Sequence, residues 1–527
     1  MKHLFSLLLW LLPGAGRLVL AQPAASPPTA PVQAARLELP LENYSSDVHV
    51  QPLVADSSVV LLVRQDRLGS RNDSYALQKY DHRLQSRWQR PLEVPREFEF
   101  KHFVAEGTDV YALFQSESNP HRLWVAAIDG PTGLARTYVF DTKLARDVYD
   151  LKALSGNLFV TVLVDNHLTI LLLDLERVTF QFLPSVYEPL PAQLSFLADS
   201  AAQRAEFVMS QTNGYKMRLQ LKQLSARGML LHSEFVQAES ERGLISAQIS
   251  PASDSGSGRL LAGTYTLRDP RYSQGLFAAD LTAGTTPTGA RRSLRFYDFI
   301  NLKHFFDFMS PGRAARLRQR SERLRAAGGR VLRLRYRTLI HDLIPTAEGS
   351  VMVAEVYFPH YRYNSYGLGM PYYSPYYYSG YGNANWANGN RQFDGYRITQ
   401  ALVCGFDHRG NLLWDNTFVL KDVVRYDLAE TVRLRLLPDG RRLAIAYLDN
   451  DKLNYKVIDR AAPSPNDQSV VLQTSALPTA KEKATNTTQE GLVTWYGSRF
   501  LAYGYQHVRA DHAPDRDVFF LNAIGFE

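Results

Sequence analysis

Apolar positions along this chain fall in short runs and not in helical stripes. SVVLLVRQD (58–66), DVYALFQSES (109–118), NLFVTVLVDN (157–166) and RLLAGTYTL (259–267) are each closed or flanked by Asp, Asn, Ser or Arg. Runs of this length, rich in β-branched and aromatic residues, predict strands. Each is followed by a second strand that ends in Asp and a tight turn. YALQKYDHRLQSRWQRPL (75–92) aligns with TQALVCGFDHRGNLLWDNTF (399–418), sharing an apolar strand, Asp-His-Arg, and a Trp seven residues after the Asp. RLWVAAIDGPTGLARTYVF (122–140) has the same shape with a turn one residue longer. An Asp side chain can accept the amide hydrogens of such a turn and Gly can supply positive φ, so every unit predicts a β-hairpin.

The turn aspartates stand at 81, 129, 174, 280, 407 and 459, and LKQLSARGMLLHSEF (221–235) supplies a hairpin inside the long 174–280 interval. Four strands in about fifty residues is the period of a propeller blade. The units number seven, with an eighth admitted by the spacing. The fold expected is therefore all-β: a single β-propeller of four-stranded blades over 36–527, carrying a helical insertion at 300–329 and a Tyr/Gly/Asn-rich loop insertion at 359–395. Leu37, Leu39 and Leu41 alternate in RLELPLENY (36–44), which is expected to pair with DVFFLNAIGFE (517–527) and close the ring. Two stacked sandwiches or an irregular solenoid are the competing architectures.

AAIDGPTG (126–133) resembles the tryptophan-docking motif A-x-D-x-x-T-G-x-x-x-W of quinoprotein-type propellers. Ala127, Asp129, Thr132 and Gly133 match it, while Thr137 stands where the motif has Trp. Asp81 with Trp88, and Asp407 with Gly410 and Trp414, keep the ring but shorten the turn. The resemblance implies a structural role for these rings, packed on the next blade, and implies no cofactor; none is expected.

Composition adds a compartment. The chain has 527 residues, 45% hydrophobic and 21% charged, enough for a large core. Lys2 and His3, the apolar run Leu4–Leu12 and Val19-x-Ala21 read as a cleaved signal peptide over 1–21, too short to span a bilayer. A Pro/Ala-rich linker is expected over 22–35. The one cysteine, Cys404, permits no internal disulfide, lies in an apolar strand and is not beside the cleavage site. A soluble periplasmic or secreted protein of a bacterial kind, not a lipoprotein, is expected.

Two segments break the repeat. From Ser310 to Arg337 ten arginines face only Glu322, a local charge of +9 in a chain of net +7, so the remainder sums to −2. Ser310-Pro311 predicts a helix start and Gly328-Gly329 its end. Arginines circle this helix and its apolar positions are few, so it is expected to project from the fold. After it, Arg333, Arg335 and Arg337 alternate with Leu332, Leu334 and Tyr336, as in a strand with one charged face. Arg313, Arg316, Arg320, Arg323, Arg333, Arg335 and Arg337 are candidate contacts for polyanions such as anionic lipid or acidic polysaccharide; nucleic acid is disfavoured by the compartment. A solvated helix serving solubility is the plain alternative.

The second segment, PYYSPYYYSGYGNANWANGN (371–390), carries six tyrosines, a tryptophan and no charge. No strand or helix period emerges from it. Tyr372, Tyr373, Tyr376, Tyr377, Tyr378 and Trp386 are candidate contacts for an envelope protein or polysaccharide. A low-complexity loop with no partner, or one that self-associates, fits the same composition.

Catalytic signatures are absent: no G-x-S-x-G, H-E-x-x-H, P-loop, EF-hand loop or paired C-x-x-C occurs. His507, Asp511, His512 and Asp515 crowd together but read as a turn, as does Asp449-Asn450-Asp451, and no metal is expected. Propeller active sites draw residues from many blades and leave no local motif. The function expected is a binding or scaffold module of the cell envelope for protein or glycan partners, with a glycan hydrolase or lyase acting in the central mouth as the alternative.

Overall fold

The computed structural model describes residues 30–526, apart from 44, 66–71, 144–146, 166, 190–193, 213–215, 253–257, 283–292, 330, 364–390, 467, 475–481 and 511–512. The strands form eight antiparallel sheets, each pairing in sequence order from a first to a fourth strand. The first strands are Ser46–Leu53, Phe98–Glu106, Asp147–Leu154, Leu194–Asp199, Gly243–Ile249, Arg337–Ile340, Arg433–Leu436 and Glu482–Thr494 in blades 1 to 8. First strands of neighbouring blades touch around a central channel. This is an eight-bladed β-propeller.

Blade 8 is built from both chain ends. Its second and third strands are Arg499–Ala510 and Ala513–Phe526, and its fourth is the N-terminal strand Pro31–Leu39, with Leu37 opposite Leu521 and Leu39 opposite Phe519. The ring thus closes through the pairing expected from the alternating leucines. The strand starts at Pro31, five residues ahead of the expected boundary at 36.

The apolar runs stay unbroken because both faces of a blade are covered. In Ser58–Gln65, Val60 and Leu62 pack against blade 2 with Phe114 and Trp124, whereas Val59, Leu61 and Val63 pack against blade 8 with Phe519 and Leu521. The same division produces eight apolar clusters, one at each junction between blades. A period of two is hidden when both sides of the strand are apolar.

The hairpin turns follow the expected chemistry. Asp81 accepts the amides of Arg83 (2.8 Å) and Gln85 (2.9 Å), with Leu84 at φ 60°. Asp407 does the same for Arg409 (2.9 Å) and Asn411 (2.7 Å), with Gly410 at φ 79°. Burial alone would raise the Asp81 carboxyl, but these amides outweigh it and hold it below the usual range. Trp88 donates from Nε1 to the Gly130 carbonyl (3.0 Å) in the Asp129 turn of the next blade. A Cβ on Gly133 would lie 2.7 Å from that ring, so glycine is required there for contact as well as for its φ of 73°. Trp414 instead lies over Gly405 of its own blade, where a Cβ would come within 2.4 Å of the ring.

The arginine-rich helix, Pro311–Ala326, does not project as expected. Ala314 and Ser321 are buried and Leu317 and Leu324 half-buried, a stripe spaced three and four residues apart that lies against the fold. Its bed is Phe299, Ile300, Leu302, Phe305 and Phe306, all buried between blades 5 and 6, with Phe299 stacked on Phe305 at 4.1 Å. Short side chains let the helix approach, so few large apolar residues were needed. Arg318 donates to the Leu302 and Lys303 carbonyls (3.0 and 3.1 Å), and Arg325 to Asp298 (2.9 Å). The expected strand after the helix is extended chain instead. Leu334 gains its ladder bonds from the Gln274 amide side chain, whose Oε1 accepts Leu334 N–H at 2.9 Å and whose Nε2 donates to the Leu334 carbonyl at 2.6 Å.

One buried carboxylate pins blade 6 to blade 7. Glu355, 1% exposed, accepts on Oε1 from the amides of Thr431 (2.7 Å) and Val432 (2.8 Å) and lies 2.9 Å from His341 Nε2. Replacement by Leu strands both amides without water, so Glu355→Leu is expected to lower stability by about 3 kcal/mol in urea denaturation; a loss under about 0.5 kcal/mol would contradict this role.

Candidate functional site

In a four-stranded antiparallel blade, the link to the next blade and the hairpin between second and third strands leave by one face of the ring. The other two hairpins leave by the opposite face. The Asp81, Asp129 and Asp407 turns join third to fourth strands, so they lie together on the second face, away from both insertions. The arginine segment is the link from blade 5 to blade 6, and the tyrosine-rich segment is the second-to-third hairpin of blade 6. Both insertions therefore leave by the same face, at the same blade.

At that face blade 6 extends into a tongue. Its second and third strands, Gly349–Tyr363 and Arg391–Asp407, have 15 and 17 residues where blade 1 has 8 and 9. They stay paired to the tip, Tyr363 opposite Arg391, and the 364–390 segment joins them there. Strands 359–363 and 391–395 thus belong to the blade and not to the insertion expected over 359–395. The side toward blade 5 is buttressed: Phe358 meets Tyr336 at 6.1 Å, next to Phe306 and Phe308. The other side carries a row of edge-on rings, Tyr361 to Phe393 (5.9 Å), Phe393 to Tyr396 (5.1 Å) and Tyr396 to Tyr357 (5.6 Å). The row starts at Tyr361, 48% exposed, passes half-buried Phe393 and buried Tyr396, and ends at half-buried Tyr357, which lines a cavity in the channel.

That cavity holds about 360 Å³, within the lower range of ligand pockets, and is walled by first strands of blades 3, 4, 5 and 6. Asp150, Lys152, Gln248 and Asp342, with the hydroxyl residues Ser195, Ser210, Ser246 and Thr338, supply its polar groups, Phe196 and Tyr357 its rings. Bulges adjoin two residues of this wall, Asp150 and Ser246. The first strand of blade 3 shifts register between Val148 and Asp150, and that of blade 5 between Leu244 and Ser246. In blade 6 the first strand is interrupted after Ile340; pairing resumes at Ile344, and Asp342 lies in the break.

Asp342 is exposed to the lumen yet enclosed by the channel wall. That enclosure raises its carboxyl above the ordinary value, with Glu430 and Asp150 adding to the effect and Lys152 and His341 opposing it. Burial likewise lowers His102 and raises the Tyr357 phenol. Asp342, Lys152 and Gln248 make no side-chain hydrogen bond among the described residues, although each borders the cavity.

The arginines divide by use. Arg313, Arg316, Arg320 and Arg323 are exposed, and at 3.6 residues per turn they fall within about 80° of one another. They form one ridge and do not encircle the helix, because Arg318 and Arg325 turn to the fold. Arg333 and Arg335 are exposed beyond the helix, and these six have no ion-pair partner among the described residues. Arg337 is half-buried, its guanidinium 5.7 Å from the Tyr272 ring centroid. Tyr372, Tyr373, Tyr376, Tyr377, Tyr378 and Trp386 lie outside the described residues. His507 lies 2.8 Å from Asp517 and 3.5 Å from Asp515, and no metal-ligating group of three or more occurs among the described residues.

The sequence reading missed Asp150, Lys152, Asp342 and the ring row. The signal for Asp342 is His-Asp, a polar pair inside the otherwise apolar stretch LIHDLIP (339–345).

No protein-family model and no curated protein matches this sequence. Solved structures similar in shape include prolyl oligopeptidase B from Galerina marginata, at 8% identity and a TM-score of 0.40, covering 89% of this chain and 56% of that one. The periplasmic gluconolactonase of Pseudomonas aeruginosa is 13% identical, with a TM-score of 0.37, covering 79% and 97%. The β-propeller domain of the Trilobed protease from Pyrococcus furiosus is 6% identical, with a TM-score of 0.34, covering 80% and 95%. The chain spans about half the length of the prolyl peptidases it matches, 54% in one case. At such scores the backbones agree only loosely, and no activity passes from them to this chain.

The raised Asp342 carboxyl gives a pH test. A carboxyl whose folded pKa exceeds its unfolded one binds more protons in the folded state, so its contribution to stability falls as pH rises through that interval. Asp342→Asn is therefore expected to raise Tm near pH 7, with the difference closing below about pH 4. A variant less stable at pH 7 than at pH 4, relative to wild type, would contradict the assignment.

Proposed function

We propose that this protein is an exported β-propeller that binds glycan or protein partners of the cell envelope through the face bearing the blade 6 tongue. One observation carries the reading: both departures from the blade repeat leave by the same face at the same blade, and a ring-lined strand pair joins them to the channel cavity. Aromatic rings suit sugar faces and protein surfaces, and the tongue presents exposed Tyr361 and half-buried Phe393 on a paired strand ladder. The Trp88 contact with Gly130 also supports kinship with tryptophan-docking propellers, where the ring is a structural device.

Removing 364–390 and joining Tyr363 to Arg391 through Asn-Gly respects the hairpin register already present. Tm is expected to stay within about 2 °C, since the eight junction clusters are untouched. Capture of envelope glycans or proteins by the immobilised protein is expected to disappear. Unchanged capture would overturn the reading.

The arginine ridge supports a polyanion contact on the same face, with acidic polysaccharide as the partner. Replacing Arg313, Arg316, Arg320 and Arg323 by Gln is expected to lower the salt concentration needed for elution from immobilised heparin by a third or more, and elution at the wild-type salt would refute it.

A second reading, a glycan hydrolase or lyase, is favoured by the raised Asp342 carboxyl, since a general acid needs its proton near working pH. Reducing-end release from a polysaccharide panel, abolished in Asp342→Asn, would establish it.

A further inference from the structure

The geometry points to the channel cavity beneath the tongue as a subsite for the end of a glycan chain, with Asp342, Lys152 and Gln248 among its polar contacts and the rings of Tyr361 and Phe393 on the tongue as the approach. The inference rests on the glycan-binding reading but concerns different residues from the insertions.

Three features meet here. The first is a set of polar groups without protein hydrogen bonds on the wall of one cavity. Asp342, Lys152 and Gln248 come from blades 6, 3 and 5, border that cavity, and make no side-chain hydrogen bond among the described residues. Asp342 faces the lumen and the other two are half-buried, so all three are open to a ligand that replaces water as their partner. Their chemistry is mixed: carboxyl oxygens that accept, an ammonium that only donates, and an amide that does both. A polyhydroxylated ring offers donors and acceptors in alternation around its edge and satisfies this set, whereas a simple anion or cation satisfies one half of it. Phe196 and Tyr357 add flat apolar wall for the C–H face of such a ring.

The second feature is the shape. The cavity of about 360 Å³ is bounded by four blades and has room for a chain end, not for a long stretch of chain. The third is the approach. Tyr357 at the cavity is linked through buried Tyr396 to half-buried Phe393 and exposed Tyr361, so units beyond the first would meet the outer two rings on the tongue. The tongue holds this line because Phe358, on its reverse side, is seated on Tyr336 and the Phe306–Phe308 cluster. The insertion beside it therefore serves as a buttress, which gives the buried Phe299–Phe306 stretch a role in positioning the binding surface.

The test is calorimetric titration of the full chain with the hexasaccharides of β-1,4-linked glucose, α-1,4-linked glucose and β-1,4-linked N-acetylglucosamine. At least one is expected to bind, with affinity reduced tenfold or more in Asp342→Asn and in Lys152→Met, and by a smaller factor in Tyr361→Ala. Cooperative melting transitions no lower than that of the wild type for the three variants establish that the losses are local. Reducing the bound hexasaccharide at its end to the open alditol is expected to change affinity if that end enters the cavity, and blocking the opposite end if the chain enters the other way. Binding indifferent to residues 342 and 152 but lost on deletion of 364–390 overturns the subsite and leaves the outer-face reading standing. Binding lost at 342 and 152 but kept after the deletion supports the subsite and removes the insertion from the glycan reading. No binding of any hexasaccharide by the wild type overturns the subsite.

Discussion

Everything in this molecule depends on closure of the ring by Pro31–Leu39 against Ala513–Phe526. A blade is apolar on both faces, and a row of such sheets left open would expose two apolar faces at its ends. Joining the two chain ends in blade 8 covers both at once and adds the eighth junction, where Val59, Leu61 and Val63 meet Phe519, Leu521 and Ala523. It also gives the fold a long-range constraint that no disulfide provides, since Cys404 is buried alone and its thiol is pushed far up by burial. With the ring closed, the first strands are fixed around a channel and the direction of every hairpin is set. The face by which both insertions leave is then a consequence of strand order.

Blade 6 departs from its neighbours in four linked ways. It has a divided first strand, long second and third strands, an aromatic bed under its entering link, and Glu355 tying it to blade 7. Each departure serves the others. The break in the first strand frees Asp342 from the ladder, and the His341 amide recovers a backbone bond to Val353 O at 3.0 Å. The bed holds the tongue upright, and Glu355 sets where the link to blade 7 passes the channel. Leu428 on that link walls the cavity, while Glu430 on the same link bears on Asp342. The site is thus the product of one irregular blade in an otherwise regular ring.

Much of the fold was legible because blades repeat. Aspartates at 81, 129 and 407 mark hairpins through a local interaction, and the alternation of Leu37 and Leu39 announced the closing strand before any partner was known. The arginine segment was misjudged for a physical reason: large apolar residues were sought, whereas Ala314 and Ser321 allow close approach and the apolar surface is supplied by Phe299, Phe305 and Phe306 just before the helix. Counting side chains on a helical wheel also gave no hint that Arg318 and Arg325 would be spent on the Leu302 carbonyl and Asp298, which leaves the others as a single ridge. Asp150, Lys152, Gln248 and Asp342 were illegible as a group, since they lie far apart in the chain and meet only when the ring is closed. His-Asp in LIHDLIP was the one local trace.

The tongue face of blade 6 is where we propose that ligands meet this protein. Hydrogen exchange on the full chain, with and without a captured envelope polysaccharide, tests this most directly. Added protection is predicted at 338–343, 357–363 and 391–398, with the turns at 81–85, 129–134 and 407–411 unchanged. Protection concentrated at those turns, on the opposite face, would contradict the account.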